Sequence, residues 1–180
     1  MFPHSLNHDN PPLLLHVCCA PCAGGCVERL LRENRKVRLF FSNSNIVSEE
    51  EFEKRLHSVR LLAEIYQLPL DVDAYDHTAW LKNVMEMRNE PEGGKRCRIC
   101  FAWALGRTAM KAQQLGCHFT TSLTVSPHKS SKVIFDVGTQ YAHFEKIDFK
   151  KQNGFQISRI IAKKHSFYLQ NFCGCEFAIR

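Results

Sequence analysis

PLLLHVCCAPC (residues 12–22) runs an apolar segment straight into three cysteines, Cys18, Cys19 and Cys22. The segment PLLLHV (12–17) is short, apolar and bounded by prolines, and it reads as a buried strand. Behind it Val27, Leu30 and Leu31 recur at helical spacing, which predicts a helix from Cys22 to Glu33. The cysteines therefore sit on the loop where a strand gives way to a helix.

Outward from this unit the same alternation repeats. KVRLFFSN (36–43) reads as a second strand, and Ser48 with Glu51 three residues later makes a capping box. Behind that box Phe52, Leu56, Val59, Ala63 and Tyr66 form one apolar stripe, predicting a helix over 49–67. PLDVDAY (69–75) reads as a third strand, followed by a helix over 76–87. NEPEGGKR (89–96) is a loop by its Pro and Gly content, and Cys97 to Leu115 is helical up to Gly116. HFTTSLTV (118–125) predicts a fourth strand broken by Ser126-Pro127, with a weaker helix after it. FEKIDF (144–149) predicts a fifth strand, and 156–165 a helix. Strands alternating with helices imply an α/β fold with a mostly parallel sheet and right-handed crossovers. One domain over 12–180 is expected, because single cores grow to about 250 residues before splitting. In such sheets ligands sit beyond the carboxyl ends of the strands, where the first strand delivers CCAPC and the fourth delivers Thr120, Thr121 and SPHK (126–129).

The polar, Pro-rich start MFPHSLNHDNPP lacks a basic-then-apolar leader pattern and is expected to form a flexible arm over 1–11. With no apolar stretch of the roughly 18 residues a membrane span needs, a cytoplasmic, membrane-free location is expected. Net charge is +6, concentrated in the last third, where Lys146, Lys150, Lys151, Arg159, Lys163, Lys164 and Arg180 face only Glu145, Asp148 and Glu176. Such an excess suits an anionic partner, nucleic acid being the commonest large one, or else a merely solvated basic face.

Nine cysteines, an odd number in a chain without a secretory pattern, favour metal or redox chemistry over a disulfide scaffold. Cys19-Ala-Pro-Cys22 and Cys97-Arg-Ile-Cys100 are both C-x-x-C pairs at the entry of a helix, where the helix N-terminus favours the thiolate that metals require. Three readings compete. Structural zinc would take Cys19, Cys22, Cys97 and Cys100 as a closed tetrahedron. A dithiol oxidoreductase would use the C-x-P-C loop alone. An iron–sulfur cluster would take Cys18 and Cys19 from one loop and Cys97 and Cys100 from another. Cys173-Gly174-Cys175 can close only a small, strained ring, which suits electron relay better than structure, or else the two are incidental thiols in an aromatic tail. Cys26 and Cys117 read as small packing residues.

HVCCAPC (16–22), FFSNSNI (40–46) with EFEKR (51–55), GKRCRIC (94–100), FTTSLTVSP (119–127) and QNFCGCEF (170–177) occur in this order across nearly the whole chain. Together they make the sequence resemble the QueH family of epoxyqueuosine reductases. The resemblance implies a Rossmann-like core similar to the PP-loop/HUP group and a 4Fe-4S cluster at Cys18, Cys19, Cys97 and Cys100. It also implies a redox-active pair, Cys173 and Cys175, as the catalytic cysteines. The implied reaction reduces the epoxide of epoxyqueuosine at the tRNA wobble position to queuosine, with an external electron donor. Some members have an aspartate beside an extra iron where this chain has Cys22, which makes Cys22 the natural ligand on this loop for such an iron. The runner-up readings are a zinc-stabilised RNA-binding module and a cytosolic dithiol oxidoreductase. Asp76, His77 and His128, just beyond predicted strand ends, are candidate proton donors, each equally readable as an ordinary polar residue. Trp80 reads as a core residue or as a stacking platform for a base. Lys95, Arg96, Lys129 and Lys132 join the C-terminal basic residues as candidate phosphate contacts.

Overall fold

In the computed structural model of the protein, which describes residues 11–178, the chain alternates strand and helix from its first element. Strand β1 (Leu13–Val17) leads into helix α1 (Ala20–Arg32), and β2 (Val37–Phe41) into α2 (Glu49–Tyr66). After β3 (Leu70–Val72) come α3 (His77–Val84) and the long α4 (Lys95–Leu115), then β4 (Phe119–Thr121), α5 (Ser131–Gly138) and α6 (Gly154–Lys164). The expected arm over 1–11 falls almost wholly outside the described residues.

The four strands form an all-parallel sheet in the order β3-β2-β1-β4, so the fold is α/β and Rossmann-like. β1 is buried at every position, because both faces of the sheet are covered. Leu13, Leu15 and Val17 pack into a cluster with α1, α2 and α6, while Leu14 faces a second cluster built from α4, β4 and α5. Alternation along one strand thus feeds two cores, and each fully buried Leu or Val contributes about 1.5–3 kcal/mol of transfer free energy. The chain runs outward from β1 to β3 on one side and returns to β4 on the other. The gap between the carboxyl ends of β1 and β4 is therefore the switch point where open parallel sheets receive ligands.

Two helices begin earlier than their apolar spacing predicts. α1 starts at Ala20, with Cys19 at the N-cap and Pro21 in the first turn, where its missing N–H costs nothing. α4 starts at Lys95, behind Gly94. The expected fifth strand, 144–149, is reduced to a single parallel bridge between Phe119 and Phe144. β4 ends after three residues and turns into a 3-10 segment, Ser122–Val125, which removes the backbone ladder a fifth strand would need. Threonine hydroxyls replace it, Thr120 Oγ1 donating to the Glu145 carbonyl at 3.0 Å and Thr124 Oγ1 to the Ile147 carbonyl at 2.9 Å.

α1 and α6 pack closely because α1 carries Gly24 and Gly25 in its buried face. Gly25 N donates to Ser158 Oγ at 3.1 Å, and that hydroxyl donates to the Cys22 carbonyl at 3.2 Å, so α6 buttresses the cysteine loop directly. A Cβ on Gly25 would meet Ser158 Oγ at 2.4 Å and the Gly154 carbonyl at 2.7 Å. Gly25→Ala is accordingly expected to destabilise the protein by about 1–3 kcal/mol, read as a lower urea midpoint with an unchanged m-value.

Candidate thiol-lined site

Cys18, Cys19 and Cys22 converge at the carboxyl end of β1 because a tight strand-to-helix turn puts all three on adjacent backbone. Their sulfurs lie within 4.8 Å of one another, with Cys18 Sγ 3.9 Å from Cys19 Sγ. The end of β4 supports them: Ser122 Oγ accepts from Cys18 N at 3.1 Å and donates to Cys18 Sγ at 3.4 Å. From the other side Gln170 Nε2 donates to Cys19 Sγ at 2.9 Å.

Three thiols this close cannot all ionise. Hydrogen bonds from Cys19 and Cys22 hold the Cys18 thiol well below its ordinary value, helped by the charge of Lys129. The same coupling to Cys18 pushes Cys19 up to about 12 and Cys22 well above the ordinary thiol range. Without a cation Cys19 and Cys22 therefore keep their protons, and Cys18 is the sulfur that ionises first. Burial works against the Lys129 ammonium, but the sulfur-rich wall it faces holds its pKa above the ordinary lysine range.

The triad opens into a cavity of about 500 Å³ whose walls include Cys18, Cys22, Cys100 and Cys173. Both C-x-x-C pairs and the C-x-C pair thus reach the same region. Cys97 accepts a hydrogen bond from Gly93 N at 3.2 Å and packs against the α4–α5 cluster. Cys100 packs with Cys173, Cys175, Trp80 and Trp103 in a third cluster. Burial raises the Cys100 thiol, and neighbouring Cys173, Cys175 and Cys97 add to the effect. The indole Nε1 atoms of Trp80 and Trp103 are both buried without a fully formed hydrogen bond among the described residues. That of Trp80 stands near enough to Cys100 to favour its thiolate. A buried indole N–H beside the Cys100 sulfur, and three converging cysteine sulfurs, fit a soft metal such as zinc or an iron–sulfur group. All nine cysteines are free thiols here, Cys173 and Cys175 included.

The C-terminal segment is clamped over the thiols. Arg55, buried and paired with Glu51 at 2.7 Å, donates to the carbonyls of Cys173 at 2.9 Å and Phe172 at 3.3 Å. Val47 N donates to the Gly174 carbonyl at 2.9 Å. Neither Arg55 nor Gln170 stood out in the sequence, although both lie inside the motifs EFEKR and QNFCGCEF. His16, also missed, lines the cavity fully buried. Its Nε2 faces the Ser42 carbonyl at 3.1 Å and its Nδ1 faces Thr121 Oγ1 at 2.9 Å. Burial lowers its pKa, so the neutral ring donates from Nε2 and accepts at Nδ1.

Of the candidate proton donors only His128 lines the cavity. Asp76 caps α3, accepting from Ala79 N at 2.9 Å, and His77 bridges the Ser44 carbonyl and the Glu176 carboxylate. Trp80 is a core residue with no exposed surface. Arg96 is not a phosphate contact: it is 2% exposed, with its guanidinium donating to the carbonyls of Met87, Arg88 and Glu90 and lying over the Phe177 ring. Cys26 and Cys117 are buried packing residues, as expected. Among the described residues no helix is long and apolar enough to cross a membrane.

A parallel α/β sheet whose switch point holds a thiol triad, faced by two further cysteine pairs, defines a metal- or redox-centred protein of Rossmann-like architecture. The family model described as Epoxyqueuosine reductase QueH matches residues 13–180, and the chain belongs to this family. A Streptococcus pyogenes protein named Epoxyqueuosine reductase QueH is 36% identical over 183 residues, covering 94% of this chain and 71% of that protein. Proteins of the same name from Acinetobacter baylyi and Thermotoga maritima are 36% and 31% identical, covering 80% and 90% of their own lengths.

The proton inventory makes metal binding depend on pH. Filling the triad with three thiolates releases the protons of Cys19 and Cys22, so affinity must rise with pH. Two protons predict a gain of about a hundredfold in zinc affinity per pH unit between pH 6.5 and 8, measured by competition with a chromophoric chelator.

Proposed function

We propose that this chain is an epoxyqueuosine reductase, converting the epoxide of epoxyqueuosine at the tRNA wobble position into the alkene of queuosine. The observation that carries the reading is the convergence of Cys18, Cys22, Cys100 and Cys173 on one cavity in a member of this family. Removing the oxygen as water takes two electrons and two protons, so the enzyme is an oxidoreductase supplied by an external electron donor.

In this reading Cys18, Cys19, Cys97 and Cys100 hold a 4Fe-4S cluster, and Cys22 serves an additional iron. When bound, that group supplies one-electron transfer and a Lewis-acidic iron. The chain's own residues do the rest. The cavity takes the modified nucleoside between the cysteine loop and the C-terminal segment. Lys129 and His128 on its wall are the cationic and protic groups that meet negative charge developing on the departing oxygen. Cys173, offered to the cavity, and Cys175, behind it, cycle between dithiol and disulfide to return electrons to the site. Arg159, on the cavity wall, and exposed Lys163 and Lys164 of the same helix contact the anionic backbone of the tRNA.

The direct test is nucleoside analysis of epoxyqueuosine-containing tRNA incubated with anaerobically reconstituted protein and a strong reductant. Queuosine is the expected product, and none from a fully loaded sample sinks the proposal. A colourless protein holding one tight zinc supports an RNA-binding module instead, and a metal-free active dithiol supports a plain oxidoreductase. Cys18→Ser is expected to lose metal and activity together, whereas Cys173→Ser keeps its iron and loses turnover. For tRNA affinity, Arg159→Ala is expected to reduce the slope of log affinity against log salt by about 0.7, as measured by filter binding across a salt series.

A further inference from the structure

Gln170 lies three residues before Cys173 on the C-terminal segment, yet its amide Nε2 donates to Cys19 Sγ at 2.9 Å, across 151 residues of chain. Its other end is costly. Gln170 Oε1 is shut away from water with no partner among the described residues, and a buried amide oxygen without a donor loses free energy. Turning the amide over would let a Cys19 thiol donate its S–H to Oε1. The arrangement present instead gives the sulfur an N–H, which is favourable where the sulfur is an acceptor with anionic character. Cys19 is 1% exposed and sits at the N-cap of α1, where the helix dipole favours the same charge state. The bond is therefore built for a metal-bound thiolate.

We propose that Gln170 is a positioning residue whose N–H holds the Cys19 sulfur in place and draws electron density from it, setting the reduction potential of the group that the triad holds. Hydrogen bonds to ligating sulfur tune a metal centre because they stabilise the electron-rich, reduced form. This inference rests on the metal-binding role proposed for the triad. It adds that the C-terminal segment, besides carrying Cys173 and Cys175, adjusts the centre from the opposite wall.

The test uses full-length protein, metal-depleted under anaerobic conditions and titrated with cobalt(II) as the probe. Gln170→Glu nearly preserves shape but removes the N–H, and Gln170→Leu removes both polar ends. Without the N–H the sulfur lone pair rises in energy. The sulfur-to-cobalt charge-transfer band is therefore expected to move to longer wavelength in both variants, further in Gln170→Glu, at unchanged cobalt stoichiometry. In the iron-reconstituted proteins the midpoint potential is expected to fall in the same order. Bands and potentials equal to those of the wild type overturn the inference. So does loss of cobalt binding in both variants, which makes the side chain structural. A wild-type protein that binds cobalt normally but forms no queuosine defeats the proposed reaction alone, because the optical measurement needs no turnover.

Discussion

Three sulfur atoms within 4.8 Å of one another, closed in by a sheet edge, can share only one negative charge unless a cation joins them. The rest of the site is arranged around that repulsion. The first turn of α1 points its N–H groups at the loop, Ser122 supplies a hydroxyl, Gln170 an amide N–H and Lys129 a full positive charge. Each favours thiolate, and none alone suffices to ionise Cys19 or Cys22. The local fold therefore makes these residues able to take a metal ion while leaving Cys19 and Cys22 protonated without one.

The second requirement is that a segment more than 150 residues away in the chain returns to cover the loop. It is held mainly through its backbone. Arg55 is locked by Glu51, whose second oxygen accepts from Tyr168 at 2.8 Å, and its guanidinium reaches the carbonyls of Phe172 and Cys173. A buried guanidinium left without Glu51 would be an uncompensated charge, typically costing about 3–5 kcal/mol. The ion pair thus ties the geometry of α2 to the placement of the C-terminal cysteines, while α6, packed on Gly24 and Gly25 of α1, sets the opposite wall.

The first strand, the capping box at Ser48 and both C-x-x-C pairs were legible in the sequence because their signals are local: a short apolar run, a four-residue cap, cysteines one turn apart. The parallel sheet followed from the alternation of strands and helices. The fifth strand failed because its partner, β4, turns into a 3-10 segment after Thr121, and the hydroxyls of Thr120 and Thr124 satisfy carbonyls that a ladder would otherwise take. Arg96 was misread because charge in a loop suggests solvent, whereas its guanidinium is consumed by three carbonyls of the preceding turn. The roles of Gln170, Arg55 and His16 are contacts across the fold, and no spacing rule announces them. Only their position inside the cysteine motifs or beside them, as with His16 in HVCC, hinted that they belong to the site.

Gly174 separates the two C-terminal cysteines with a backbone conformation, φ +139°, that residues with side chains rarely adopt. A Cβ there would also press on Asn45 Nδ2 at 3.0 Å and Arg55 Nη1 at 3.2 Å. Across this turn Cys173 faces the open cavity, while Cys175 is buried among Trp80, Val84 and Ala178. The two thiols therefore stand at a front door and a back door that differ in kind. Anything entering the cavity meets Cys173 first, while Cys175 lies behind it in the interior, so one glycine gives two neighbouring thiols opposite surroundings.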